Sequence, residues 1–163
     1  MPKPVLQAMV LADHVYQDRN TGKFVIAGTF GTIWRQPAPP KPPEAGEGAP
    51  ARQQITGPIT QMGSPFLYLA LADVHGKAPL TLRLVDLADT QVMMEANFEV
   101  AAADPLTLCE FVLPLPLLPA IKPGALSLDL LFHDEILGSW RINVRDVPTP
   151  PSTENQAPSP ELQ

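Results

Sequence analysis

Three histidines, one cysteine and a scatter of carboxylates are the side chains of this sequence that could do chemistry. His14 follows Asp13, His75 stands two residues after Asp73, and His133 adjoins Asp134. Imidazoles and carboxylates brought together from three loops would suit a divalent metal. Strand geometry works against that reading, because neighbouring strand residues point to opposite faces. Neither a His-Glu-x-x-His pattern nor paired Cys-x-x-Cys motifs reinforce it. Turn hydrogen bonds and solvent exposure are the expected roles of these residues, and no metal or other cofactor is expected.

A catalytic thiolate needs access and a basic neighbour that lowers its pKa. Cys109 lies in Thr107-Leu108-Cys109-Glu110-Phe111-Val112-Leu113, with the parity of Phe111 and Leu113, which predicts a place in the core. Ser64, Ser127 and Ser139 lack the Gly-x-Ser-x-Gly elbow of a serine hydrolase. Asp86, Asp89, Glu95 and Glu99 supply carboxylates, but glycosidic chemistry needs two of them held across one scissile bond. Asp86 and Asp89 border the expected hairpin turn Ala88-Asp89-Thr90, and Glu95 and Glu99 sit on a polar strand face. The balance leans away from an enzyme.

What must position any site is a set of strands. In residues 91–100, Val92, Met94, Ala96, Phe98 and Val100 alternate with Met93, Glu95, Asn97 and Glu99, the period of a strand with one dry and one wet face. Residues 5–16 and 23–34 read as strands joined by the polar turn 17–22, and residues 66–74, 80–87 and 107–113 follow. Leu126, Leu128, Leu130 and Phe132, then Trp140, Ile142 and Val144, form a terminal hairpin about His133-Asp134-Glu135. Gly28 and Gly31 point to a bulge or close packing, since no long helix follows to complete a phosphate loop. About eight strands with no amphipathic helix predict an all-β domain, arranged as a two-sheet antiparallel β-sandwich.

Composition sets further bounds. The formal charge of -6 argues against nucleic acid and against an anionic membrane as partners. No apolar run approaches the roughly 18 residues of a spanning helix, and the run 5–10 is too short for a signal peptide. With a lone cysteine, the expected location is cytoplasmic. Prolines break residues 36–54 into an inserted surface loop, and they make residues 148–163 a flexible tail after a domain spanning 1–147.

The segments Val10-Leu11-Ala12-Asp13-His14-Val15, Gly28-Thr29-Phe30-Gly31-Thr32-Ile33-Trp34, Leu82-Arg83-Leu84-Val85-Asp86 and Leu137-Gly138-Ser139-Trp140-Arg141-Ile142-Asn143-Val144 together carry a resemblance. Over about residues 5–147 the chain resembles an uncharacterised bacterial family of small β-sandwich proteins. That resemblance implies an immunoglobulin-like or related topology. It transfers no activity, because the family carries no assigned catalytic or binding residues.

Apolar residues that break a polar series are the remaining candidates. Met93 and Leu131 interrupt wet faces; if their strands were neighbours they would, with Val85, form an exposed patch able to receive a protein partner or a second subunit, the alternative being packing beneath a covering loop or isolated surface apolarity. Trp34 stands at a strand–loop boundary. The expectation is a non-catalytic protein-interaction or assembly module using Trp34, Met93 and Leu131. The alternative is a carbohydrate- or small-ligand-binding sandwich built on Trp34 and polar loop residues, with an enzyme of unrecognised site third.

Overall fold

A computed structural model describes residues 2–35 and 64–148. The expected insertion at 36–54, and the expected tail beyond Pro148, lie outside the described residues. The described chain is all-β, with nine strands and no helix. Among the described residues no helix is long and apolar enough to cross a membrane.

The strands are β1 (Val5–Gln17), β2 (Phe24–Thr29), β3 (Thr32–Arg35), β4 (Phe66–Ala72), β5 (Gly76–Asp86), β6 (Gln91–Ala102), β7 (Cys109–Pro114), β8 (Gly124–Phe132) and β9 (Glu135–Asp146). They form a four-stranded sheet, β2-β1-β4-β7, and a five-stranded sheet, β3-β9-β8-β5-β6.

Local chemistry accounts for the hairpins. Between β1 and β2, Asp18 Oδ1 accepts the amides of Asn20 (3.0 Å) and Thr21 (2.7 Å), while Gly22, at φ 69°, returns its amide to the Asp18 carbonyl at 2.8 Å. Aspartate favours such turns because its side chain replaces a backbone acceptor. Between β8 and β9, His133 and Asp134 both take positive φ and Phe132 pairs with Glu135, the pattern of a two-residue primed turn.

The expected single strand over 23–34 is two strands in different sheets. β2 pairs antiparallel with β1, whereas β3 pairs parallel with β9, so the five-stranded sheet is mixed rather than antiparallel throughout. The chain crosses between sheets at Phe30 and Gly31: the Phe30 amide reaches the Leu11 carbonyl (3.4 Å), and the Gly31 carbonyl accepts the Asn143 amide (2.8 Å). Just before the crossing, Gly28 sits at φ 72° against Asp13, whose Oδ2 would lie 2.6 Å from a Cβ there. Only glycine meets both demands.

Side chains from both sheets meet in one buried cluster. Leu11, Leu67, Leu69 and Leu71 come from the first sheet, and Leu80, Leu82, Leu84, Leu128, Leu130 and Ile142 from the second. Removing each from water contributes about 1.5–3 kcal/mol before the opposing entropy of ordering. Cys109 takes the expected inward parity with Phe111 and Leu113, opposite Leu71, Leu69 and Leu67.

Two glycines with similar dihedrals separate backbone strain from crowding. Gly22 has nothing near its missing Cβ, so Gly22→Ala should lower the unfolding free energy by about 1 kcal/mol, and Gly28→Ala by about 2–3 kcal/mol because Asp13 must also shift. Urea denaturation measures both, and equal losses would show that Asp13 yields freely.

Candidate functional site

Among the described residues the two sheets have four edge strands, and the chain disposes of them differently. On one side the crossing from β2 to β3 carries the backbone from the first sheet directly into the second. On the other side the edges are β6 and β7, which are not paired with each other. Between them lies a groove of about 540 Å³, where Phe98 and Val100 from β6 face Cys109, Phe111 and Leu113 from β7, with Glu99 and Glu110 also on its lining. Phe98 and Phe111 meet edge to face, with centroids 5.9 Å apart, the geometry aromatic quadrupoles favour. These side chains pack on the core yet stay half-exposed, because no further strand among the described residues covers them.

Both ends of the groove are set by sequence. At one end the β6–β7 loop turns on Asp104, whose carboxylate accepts the Leu106 amide (2.9 Å) and whose carbonyl accepts the Thr107 amide (3.0 Å). This turn leaves Leu106 90% exposed, with exposed Leu108 on the groove wall. At the other end prolines at 114, 116, 119 and 123 keep the segment 115–123 from pairing as a strand. It drops Leu115, Leu118 and Ala120 into the core instead.

Lys122 fastens that segment. Its ammonium lies 3.2 Å from Asp86 Oδ2 and also pairs with Asp89, in the β5–β6 turn. Asp86 continues the inward series of Leu80, Leu82 and Leu84 and is buried, with its Oδ1 accepting the Ala88 amide at 2.9 Å. That amide above all, with the Lys122 ammonium beside it, holds the Asp86 carboxyl below the usual carboxylate range against the opposing effect of burial. Bonds to Asp89 and Asp86 push the Lys122 pKa up, so it stays charged and is a poor nucleophile. A cavity of about 180 Å³ lies beside the cluster, lined in part by Met93, Pro119 and Ile121.

The outward face of β6 is tied to β5. Arg83 Nε donates to Glu95 Oε2 at 2.9 Å, Lys77 lies 3.0 Å from Glu99, and the Thr81 hydroxyl donates to Asn97 at 2.7 Å. Glu110 on β7 accepts the Tyr68 hydroxyl. Burial, and then that bond, pushes the Tyr68 phenol up to about 12, so it remains a donor at neutral pH.

Of the residues singled out by sequence, Trp34 is 44% exposed on the edge strand β3, opposite Arg145 and away from the groove. Met93 was expected on the wet face and is instead turned inward. β5 pairs Leu84 with Met94 and Val85 with Val92, so Met93 is the extra residue of a β-bulge and packs on the core, leaving Val92 47% exposed. Leu131 breaks the outward polar series as read from sequence, and of its two alternatives the covered one holds: it is 3% exposed on the central strand β8, with Thr81 and Ile136 flanking it on both sides. With β5 between β6 and β8, Met93 and Leu131 make no shared patch.

His14, His75 and His133 are exposed on β1, in the β4–β5 connection and in the β8–β9 turn. Among the described residues no three His, Cys, Asp or Glu side chains are placed to hold a metal ion. Sequence reasoning passed over Leu106 and Leu108; two leucines beside Pro105 in a turn were the available signal. No protein-family model matches the chain, and no curated protein matches it.

Because the folded Asp86 pKa is depressed, its contribution to stability is complete above the carboxylate's unfolded pKa of about 4 and is lost as pH falls through the lower folded value. Asp86→Asn should therefore destabilise the protein near neutrality, with the deficit shrinking in increasingly acid solution. Urea midpoints across that range test this, and a deficit independent of pH would assign the loss to shape rather than charge.

Proposed function

We propose that the protein is a non-catalytic protein-interaction or assembly module that takes an extended segment of a partner along its open side. The supporting observation is the groove beside β6, with Phe98, Val100, Phe111 and Leu113 inside and Glu99 and Glu110 also on its lining, along an edge strand of 12 residues without proline. The other edges, β2, β3 and β7, are six, four and six residues long. A long unpaired edge presents a row of free amides and carbonyls, which an incoming strand can satisfy. Alternate side chains of that strand would enter the groove against Phe98, Val100, Phe111 and Leu113, and the others would face solvent.

The same proposal holds that the two sheets form a β-sandwich, immunoglobulin-like or related in topology and akin to the bacterial family it resembles. The single buried cluster drawn from both sheets favours this. A cytoplasmic location fits the lone thiol. Mutual neutralisation within the Lys122–Asp86–Asp89 cluster, and the separation of the histidines, favour binding over catalysis.

Selection of displayed random peptides against the full chain tests the reading. Selected sequences should carry apolar residues at every second position and shift amide resonances along β6 and β7. Leu108→Glu, a change at an exposed position, should weaken them about tenfold. Failure to select any peptide, or shifts centred on Trp34 and β3, would overturn it.

A further inference from the structure

We propose that the segment taken along β6 is β6 of a second copy of this chain, paired antiparallel about a two-fold axis. This rests on the open side being a docking surface and names its occupant.

Exposed apolar residues stand at both ends of the strand: Leu87 and Val92 where β6 begins, Leu106 and Leu108 just beyond its end. Antiparallel pairing lays the beginning of one strand beside the end of the other. Leu106 of each copy then meets Leu87 and Val92 of the other, while Leu108 stays on the groove wall, and the contact repeats by symmetry. An unrelated short segment would cover one end only.

Register supports the same pairing. The bulge at Met93 limits the ladder to residues 94–102, whose midpoint is Phe98. A two-fold there keeps strand parity, so Met94, Ala96, Phe98 and Val100 stay on the inward face in both copies. It sets Glu95 opposite Ala101 and Asn97 opposite Glu99, so no carboxylate of the ladder faces another, and like charges directly opposed would be destabilising.

Charge along the strand fits an identical partner. The net charge of -6 resists self-association in general. On β6, however, Glu95 is held by Arg83 at 2.9 Å and Glu99 by Lys77 at 3.0 Å, so the face offers balanced pairs rather than free carboxylates. It neither demands a basic partner nor repels a copy of itself.

Light scattering of the full chain over a range of concentrations should show a dimer at micromolar levels. Leu106→Lys and Val92→Glu alter exposed side chains, so circular dichroism should show both variants folded. Each should raise the dissociation constant about tenfold or more, since a charge enters an apolar contact. An equimolar mixture of the two variants should recover the dimer, because the mixed pair joins the introduced lysine to the introduced glutamate at one end and keeps the original contact at the other. A wild-type chain that stays monomeric, a dimer unmoved by either variant, or a mixture that fails to recover overturns the proposal. A monomer that still selects peptides along β6 leaves the docking surface standing without the second copy, whereas a monomer that selects none removes both.

Discussion

Each strand of a sheet carries two rows of backbone donors and acceptors, and a strand at an edge can satisfy only one of them within its sheet. That constraint organises this molecule. β2 and β3 are short, and the chain passes between them across the side of the core through Gly28 and Gly31. β7 is short and ends at a proline. β6 alone among the described edges runs for 12 residues with its outer row unpaired.

The openness beside β6 follows from where the chain spends its apolar residues. Segment 115–123 carries Leu115, Leu118 and Ala120 into the core, and Lys122 ties it to Asp86 and Asp89 at the β5–β6 turn. At the opposite end the Asp104 turn projects Leu106 outward. The groove between these closures has Phe98, Val100, Phe111 and Leu113 on its lining, and Arg83, Lys77 and Thr81 bond the outer face of β6 to β5.

Much of the strand pattern was legible in residue order. The two-residue period located β4, β5, β8 and β9 and gave Cys109 its inward parity, because each of those properties depends on neighbours a few positions away. Asp18 and the His133-Asp134 pair marked hairpins through local hydrogen bonding and turn dihedrals. The candidate site was far less legible. Met93 obeyed the alternation until a bulge reversed it, and Leu131 looked exposed only because its flanking strands were unknown.

By itself the sequence determined that the chain is all-β, where most strands run and which side chains share a strand face, since these follow from steric preferences and a short-range period. Tertiary structure decided which strands became edges among the described residues, that β3 would run parallel to β9, and that Phe98 and Phe111 would face each other across a gap no other described strand covers. The physical reason is separation along the chain. An edge exists only where no other segment has come to pair, and that depends on the placement of every strand at once rather than on the residues of the strand concerned.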